Sequence, residues 1–349
     1  MIIGVCGFSW SGSGAVLDYL MEYDHIQIYN RELTIAFFPD GLSDLDFQLN
    51  ENCAKFLSST VAIPRFEKMV NRVLQRATDG KIKELTARYL ESLTQAQWIG
   101  AGQGQLVLHN QWFYWHIGNR LLHRVYRKLP PHLCKRFKLY PLTNMRLSIK
   151  PDDFLQKTQI YTNEILKLLG LEPDGIVVLN QAFPANNPSR CLRYFRNSKA
   201  IVVDRDPRDI YVFLRETFYG NSYSVPVDDV HAFIAYYKSL HAEIETLKTS
   251  ENILYIRFED LIYEYSRTTD QINQFLGLPK NENARKYFVP EASMINTRVF
   301  EKAQKCYEEV RMIERELPEY LYDFDSYEYK PSVQLSFDDN PLTKNMVKK

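Results

Sequence analysis

Glycines and serines near the start of the chain have the spacing of a loop that binds an anion. Residues 7–15 are GFSWSGSGA, and their glycines let the backbone turn tightly and approach a ligand closely. The apolar run Ile2–Val5 before them is typical of a buried strand, and the apolar residues of 15–20 after them recur with helical spacing. A helix that begins after such a loop directs unpaired N–H groups and the positive end of its dipole at one point. The pattern therefore predicts a phosphate or sulfate ligand.

The loop differs from the phosphate loop of ordinary nucleoside triphosphatases. Gly7 and Gly12 have the spacing of that motif, but the motif continues with lysine and a hydroxyl residue, whereas this chain continues with Ser13 and Gly14. An ordinary ATPase or GTPase is therefore disfavoured. A glycine-rich turn that only joins a strand to a helix is the alternative that this stretch leaves open.

Strand and helix patterns alternate after the loop. Short apolar runs typical of buried parallel strands lie at 26–29, 175–179, 200–203 and 253–256. The alternation predicts an α/β fold with three α/β/α layers around a central parallel sheet. Ligands of such sheets bind at the carboxyl ends of the strands.

The remaining patterns define the predicted domain organisation. Residues 42–93 have helical periodicity, and a helix that Asp152 caps is expected to run to Leu169 and stop at Gly170. We expect a single domain over residues 1–330, with a helical insertion at about 42–170, followed by a polar tail over 331–349.

Composition excludes several classes of protein. Lys plus Arg and Asp plus Glu number 43 each, so no global field draws the chain to nucleic acid, which is not an expected partner. The five cysteines lie far apart without a CxxC pair, so we expect neither a disulfide framework nor a zinc site, and a reducing cytoplasm fits best. No apolar run reaches the ~18 residues that a transmembrane helix needs.

Basic residues are concentrated in one stretch. Residues 92–150 contain no Asp or Glu and carry Lys and Arg throughout. If Gln111–Leu129 is a helix, His116 and His123 lie about 10 Å apart along its axis, which is too far for one metal ion. This stretch is either a surface that faces a polyanion or a solvated basic face balanced by acidic helices elsewhere.

Three stretches, taken in order, resemble the sulfotransferases that use 3′-phosphoadenosine 5′-phosphosulfate (PAPS). SWSGSGA follows the first predicted strand, VVDRDPRDIY ends a later one, and YIRFEDLIYEYSRTTDQINQFLGL continues from another. They are similar to that family's 5′-phosphosulfate loop, 3′-phosphate strand and last signature. The resemblance implies a P-loop sulfotransferase fold, similar to nucleotide kinases, with PAPS as co-substrate and no metal.

The resemblance also implies roles for particular residues. The backbone of the loop would hold the 5′-phosphosulfate, with help from the Ser13 hydroxyl, and Arg205 would pair with the 3′-phosphate. A guanidinium group can bind a phosphate through two parallel hydrogen bonds, which suits that role. The alternative for Arg205 is an ion pair with Asp206 or Asp209. The late stretch FVPEASMINTR is similar to the family's loop over the nucleotide. The predicted donor-binding residues are Ser11, Gly12, Ser13, Gly14, Ala15, Arg205, Ser293, Asn296 and Arg298.

Glu32 is the candidate catalytic base. It stands 22 residues after Trp10, about the separation between loop and catalytic glutamate in the heparan-type members of the family. A carboxylate just past the second strand is also expected beside the phosphate loop, within reach of an acceptor hydroxyl. The alternatives are a surface ion pair of Glu32 with Arg31, and His109 as the base.

Three positions depart from the family pattern. Trp10 replaces the loop lysine, Phe213 replaces a serine and Phe258 replaces the tyrosine of Y-E-D-L. Neutralisation of the leaving group would then fall to another cation. The candidates are Arg31, Lys150, Arg208 and Arg215. A small-molecule or nucleotide kinase and an inactive relative that binds a nucleotide or polyanion remain as alternatives.

A hydroxyl on a glycan or glycolipid is the predicted acceptor, by analogy with the members that use a glutamate base. A phenolic or lipid alcohol is the alternative, because the insertion also carries Trp98, Trp112, Tyr114 and Trp115. Gln181, Asn186 and Asn187 follow a predicted strand and are further candidates for acceptor contacts.

Overall fold

The computed structural model describes residues 1–52, 57–100, 117–128, 130, 143–217, 224–281 and 285–331. The chain forms two compact units. The first comprises residues 1–33, 172–192 and 197–349, and the second comprises residues 34–171 and 193–196.

The strands of the described residues form two sheets. In chain order they are β1 Ile2–Gly7, β2 Ile26–Glu32, β3 Ala96–Gly100, β4 Thr143–Leu147, β5 Ile176–Asn180, β6 Ser198–Asp204 and β7 Ile253–Arg257. The first unit holds a parallel sheet of five strands in the order β2-β5-β1-β6-β7, and the second holds the antiparallel pair β3-β4. The predicted α/β fold with a central parallel sheet is therefore confirmed.

The helices of the described residues are numbered in chain order. Those of the first unit are α1 Gly14–Leu20, α7 Ser189–Leu192, α8 Pro207–Thr217, α9 Val230–Leu240, α10 Ile244–Lys248, α11 Phe258–Tyr263, α12 Tyr265–Leu276, α13 Pro290–Ser293 and α14 Tyr307–Glu316. Those of the second unit are α2 Leu42–Asp46, α3 Leu57–Leu74, α4 Ile82–Leu93, α5 Asn119–Tyr126 and α6 Phe154–Leu168. Short 3₁₀ turns lie at Thr34–Ala36, Met294–Asn296, Val299–Lys302, Gln304–Cys306 and Pro318–Tyr320, and a π turn lies at Phe47–Glu51.

Strand β1 lies at the centre of the parallel sheet. It pairs with β5 through Ile3 and Val178 and with β6 through Val5 and Ile201. Because both edges are paired and both faces are covered, β1 is an almost continuous apolar run. On one face α1, α11 and α12 complete an apolar cluster with the sheet. On the other, a Cβ at Gly4 would lie 2.2 Å from the ring of Phe183, so only glycine fits there.

The second unit is mainly helical. Helices α4 and α6 pack through stacked rings of Tyr89 and Tyr161, whose centroids lie 4.2 Å apart, and the Tyr89 and Thr158 hydroxyls lie 2.7 Å apart. The β3-β4 pair is an addition to the predicted helical insertion at 42–170.

Helix α6 differs from its prediction at one end. It begins at Phe154, and the preceding Asp153 has a φ of 56° and makes no capping hydrogen bond through its side chain, so Asp152 is not the cap. The other end of α6 agrees with the predicted stop at Gly170, because Gly170 follows the helix with a φ of 80°.

Two other predictions fall partly beyond the described residues. Of the helix predicted over 111–129, residues 119–126 form α5, while 111–116 and 129 lie outside the described residues. The tail after residue 331 lies outside them as well, and the single domain over 1–330 stays a prediction.

Candidate anion-binding site

The loop between β1 and α1 presents free backbone donors. The Ser11 N–H donates to the Phe8 carbonyl at 2.9 Å, and the Ala15 N–H donates to the Gly12 carbonyl at 3.0 Å. These two bonds close the turn and occupy two of the five N–H groups assigned to the ligand. Among the described residues, nothing accepts a hydrogen bond from the N–H groups of Gly12, Ser13 or Gly14. Three successive donors are therefore available to an anion.

Glycine is required at Gly12 and leaves space at Gly14. Gly12 has a φ of 80°, and a Cβ there would lie 2.5 Å from the ring of Phe258. A Cβ at Gly14 would meet no atom within 4 Å. The loop is thus packed on the Phe258 side and open beside Gly14.

Two serine hydroxyls belong to the loop. Ser11 is 2% exposed, and its Oγ has no hydrogen-bond partner among the described residues. A buried hydroxyl without a partner is unfavourable, so a ligand that accepts from Ser11 would remove that cost. The Ser13 Oγ accepts a hydrogen bond from the Gln181 side chain at 3.0 Å.

Gln181 braces the loop from the neighbouring strand. It directly follows β5, its N–H donates to the Val5 carbonyl at 2.9 Å, and its backbone has a φ of 51°. Its Oε1 accepts from the Gly7 N–H at 3.3 Å while its Nε2 donates to Ser13. The side chain predicted to touch an acceptor therefore holds the two ends of the loop.

Arg205 lies against the loop. It directly follows β6 and is 5% exposed. Its Nη1 donates to the Trp10 carbonyl at 3.3 Å, and its Nη2 donates to the Asn296 carbonyl. The centre of the guanidinium lies 5.6 Å from the Phe213 ring and 5.4 Å from the Phe258 ring. The structure thus brings Arg205, the loop and Asn296 together.

The positions that depart from the family pattern surround this arginine. Phe213 and Phe258 flank its guanidinium, and the Trp10 ring lies 5.8 Å from the Phe213 ring. Trp10 itself has a φ of 63°, which is uncommon outside glycine. Two aromatic rings flank a buried cation, and a cation packs favourably over such rings.

Other partners occupy the aspartates near Arg205. Asp206 pairs with Arg208 at 2.8 Å and accepts from the Tyr322 N–H at 2.8 Å. Asp209 accepts from the N–H groups of the 3₁₀ turn that starts at Val299, the shortest at 2.6 Å. Neither carboxylate forms an ion pair within 4 Å of Arg205, so the alternative pairing predicted for this arginine does not occur.

Burial raises the pKa of two nearby carboxyl groups. Burial and then the charges of Asp206 and Glu259 raise the pKa of Asp209 to about 7, although Arg205 acts in the opposite direction. Burial likewise raises the pKa of Glu259 to about 7, with a further contribution from Asp206. Glu259 accepts from the Asp206 N–H at 2.7 Å. These groups hold the turn around Arg205 in place.

A second buried pair lies beneath the loop. The ring of His241 stacks between Phe8 and Tyr237, with both centroid distances 3.9 Å, and its Nε2 lies 3.0 Å from Asp204. Burial alone would raise the pKa of Asp204, but hydrogen bonds and the charge of Arg257 lower it to about 2. This network fixes the residue before Arg205 and was not predicted from the sequence.

The late stretch contributes backbone more than side chains. Asn296 supplies its carbonyl to Arg205. The Arg298 Nε donates to Glu301 at 2.6 Å, so that guanidinium is engaged by a carboxylate. Ser293 ends α13 and is half-buried. Of these three predicted residues, only Asn296 forms a hydrogen bond with Arg205.

Glu32 ends strand β2. It pairs in register with Asn180, which also pairs with Val5 of β1, so two strand spacings, about 10 Å, separate the Glu32 backbone from β1. The Glu32 side chain is exposed and makes no ion pair with Arg31 or any other described residue. A free carboxylate therefore lies at the same sheet edge as the loop.

Two of the cations proposed to replace the loop lysine are already paired. Arg208 binds Asp206 and Glu314, and Arg215 binds Asp228. Arg31 is exposed at the end of β2, and Lys150 belongs to the second unit.

Four of the remaining candidates for the base and for acceptor contacts have no described position. His109, Trp112, Tyr114 and Trp115 lie outside the described residues. Trp98 is on β3 of the second unit and is 41% exposed. Asn187 donates to Glu243 at 3.4 Å.

The described residues hold neither a metal centre nor a membrane-spanning helix. No group of three or more His, Cys, Asp or Glu side chains in this part of the chain is arranged to hold a metal ion. No helix there has both the length and the apolar character to cross a membrane.

Comparison with known proteins points to one family. Residues 190–319 match the family described as sulfotransferase domain. Cytosolic sulfotransferase 1 of Danio rerio is 28% identical over 101 residues, which cover 29% of this chain and 31% of that protein. The matched stretch thus spans about a third of the curated relative.

Two solved structures align with most of the chain at TM-scores below 0.5. The sulfotransferase domain from the curacin biosynthetic pathway has a TM-score of 0.37 and 15% identity, and covers 94% of this chain and 98% of that one. A sulfotransferase from Mycobacterium avium has a TM-score of 0.34 and 12% identity, and covers 95% of this chain and 77% of that one.

The match at 190–319 contains Arg205 and the carboxylates that fix its surroundings, and the sheet that carries them also carries the glycine loop. Residues 190–319 of this chain are therefore similar to a sulfotransferase domain.

Proposed function

We propose that this protein transfers a sulfuryl group from PAPS to a hydroxyl group of an acceptor. The observation that carries the proposal is the contact between the Arg205 guanidinium and the Trp10 carbonyl at 3.3 Å, which places a buried cation against a loop with three free N–H donors. A donor with phosphate groups at both ends of its ribose needs two such anion sites side by side.

The loop would hold the 5′-phosphosulfate of the donor. Gly12, Ser13 and Gly14 offer N–H groups, and Ser11 offers a buried hydroxyl without a partner. Arg205 would hold the 3′-phosphate, and its Nε has no hydrogen-bond partner among the described residues. A guanidinium whose donors are incompletely satisfied is suited to a charged acceptor. Ser293, Asn296 and Arg298 remain proposed contacts to the nucleotide.

Glu32 would act as the general base. It would take the proton of the acceptor hydroxyl while that oxygen attacks the sulfur and the bond from sulfur to the phosphate oxygen breaks. The products are the sulfate ester, 3′,5′-ADP and a proton held by Glu32. Its exposed carboxylate, unpaired among the described residues, supports this role, because a base must reach the substrate without first leaving an ion pair. Positioning and electrostatics supply most of the catalysis in such a transfer.

Trp10 makes slow turnover the expected behaviour. Without the loop lysine, the charge that develops on the leaving phosphate is stabilised by the N–H groups of the loop and by Arg205. The same substitution favours a second candidate function, a relative that binds the nucleotide without turnover.

A glycan or glycolipid hydroxyl is the proposed acceptor, by analogy with relatives that use a glutamate base. We also propose a cytoplasmic location. Cys6 and Cys306, both buried, are free thiols, which fits a reducing compartment.

Nucleotide binding tests the proposal. Isothermal titration of the full chain should show binding of 3′,5′-ADP and much weaker binding of ATP, because only the former carries a 3′-phosphate. Transfer of labelled sulfate from PAPS to a glycan panel then separates an enzyme from a binding protein. Tight ATP binding without 3′,5′-ADP binding would overturn the proposal in favour of a kinase.

A further inference from the structure

A helical stretch of the second unit exposes cationic and apolar side chains on one face. Ile117, Leu121 and Val125 are 38%, 56% and 54% exposed. Arg120 and Arg124 are exposed between them, and Arg127 and Lys128 are exposed just after. At about 100° per residue, the four of these residues that lie on the helix, Arg120, Leu121, Arg124 and Val125, fall within an arc of roughly 140°, and the other three flank the helix in the chain. We call this set the cationic–apolar face.

The charge of this face is not neutralised locally. None of its four cations has an ion pair or hydrogen bond with a described residue. The sequence from 92 to 151 contains no Asp or Glu, so no acidic neighbour within that stretch can balance them. The whole chain has no net charge, which makes the local excess a feature of this segment.

We propose that the cationic–apolar face binds the surface of an anionic lipid bilayer. Arginine and lysine beside anionic headgroups gain electrostatic attraction, while isoleucine, leucine and valine gain by entering the boundary between headgroups and acyl chains. A nucleic acid or a soluble polyanion would use the cations alone and would leave three aliphatic side chains in water. The proposal concerns attachment to the surface and is independent of the proposed sulfotransfer reaction.

Vesicle co-sedimentation of the full chain tests the proposal. Vesicles of phosphatidylcholine alone should bind weakly, and vesicles that also contain phosphatidylglycerol should bind strongly, with binding that weakens as salt is added. The double variant Arg120→Glu, Arg124→Glu should lower binding to the anionic vesicles by at least about tenfold. Equal binding to both kinds of vesicle would overturn the proposal.

A matched variant controls for net charge. Lys81 and Lys83 are exposed on the same unit near the start of α4. Lys81→Glu, Lys83→Glu makes the same change in net charge and should leave binding within about twofold of the original protein, provided that circular dichroism shows both variants folded. Equal loss in the two variants would mean that only global charge matters and would refute a defined surface.

A third variant distinguishes a bilayer from a soluble polyanion. Leu121→Ser, Val125→Ser keeps every cation and should reduce binding to the anionic vesicles several-fold while leaving retention on a heparin column unchanged. If vesicle binding is unaffected by this variant, the face is a polyanion site and the membrane assignment is wrong.

Discussion

The Nε2 of Gln181 donates a hydrogen bond to the Oγ of Ser13 at 3.0 Å, across 168 residues of sequence. A serine hydroxyl has a single proton. Because the Ser13 oxygen already accepts from Gln181, its own proton is left to donate to an anion in the loop. In the proposed donor site, Gln181 would therefore be a positioning residue that sets the direction of the hydrogen bond from Ser13 to the ligand.

Gln181→Glu should reverse that direction. The new carboxylate accepts the Ser13 proton and turns the lone pairs of the oxygen toward the anion, so the affinity for 3′,5′-ADP should fall by about 10- to 100-fold at pH 8. Titration calorimetry relative to the original protein measures this ratio.

The pH dependence of the same variant separates hydrogen bonding from loss of structure. The protonated fraction of the glutamic acid is larger at pH 5 than at pH 8 and can again donate to Ser13, so part of the lost affinity should return. Gln181→Met, which removes both hydrogen bonds, should lose affinity equally at both pH values. If the Gln181→Glu variant lost the same affinity for 3′,5′-ADP at both pH values, the proposed direction of the hydrogen bond between Gln181 and Ser13 would be contradicted.

Glu32→Gln should keep donor binding and lose transfer. The amide has similar volume but cannot take a proton, so the rate of sulfate transfer should fall by about 10²- to 10⁴-fold while the Kd for 3′,5′-ADP stays unchanged. Asp24→Asn is the matched control, because Asp24 is an exposed carboxylate before the opposite end of β2. Retained transfer in Glu32→Gln would exclude Glu32 as the base.

Stability should fall as the pH rises from about 4.5 to 7. Glu259 and Asp209 have pKa values raised to about 7 in the folded protein, so folded molecules keep protons that unfolded ones release in this window. The contribution of these two groups to the free energy of unfolding is fully present below the pKa values that they have in the unfolded chain. It is lost as the pH rises through the pKa values that they have in the folded protein. Asp204 acts in the opposite sense, because its pKa is lowered to about 2 and its contribution is lost as the solution becomes strongly acidic.

Urea unfolding at several pH values checks this prediction. Glu259→Gln keeps an acceptor for the Asp206 N–H, which Glu259 binds at 2.7 Å, and removes one titrating group. The free energy of unfolding should then depend less steeply on pH between 5 and 7, by up to about 1.4 kcal/mol per pH unit. An unchanged slope would show that Glu259 titrates alike in the folded and unfolded states.

Local sequence signals were sufficient to predict the parallel sheet and the loop. Buried parallel strands are short apolar runs, and each run predicted as a strand lies within or beside an observed one; Ala200–Val203, for instance, is contained in β6. The need for glycine at Gly12 also follows from local geometry, since its φ is 80°. Both features depend on residues close together in the chain.

Features that depend on distant partners could not be predicted in the same way. The brace from Gln181 and the pair of Asp204 with His241 join residues far apart in sequence. Arg205 donates a hydrogen bond to the Asn296 carbonyl, and Arg298 donates one to Glu301. Both bonds depend on how the turns late in the chain fold. The β3-β4 pair was missed because its strands are short and are separated by more than 40 residues.

The binding of 3′,5′-ADP to Arg205→Ala tests the central claim most directly. The original protein should bind the nucleotide and gain thermal stability from it, by mass action. Arg205→Ala should lose the shift in Tm with 3′,5′-ADP, and Arg205→Lys should recover part of it, because lysine keeps the charge without the bidentate fork. A full shift in folded Arg205→Ala would contradict the proposal that this arginine and the loop form one donor site.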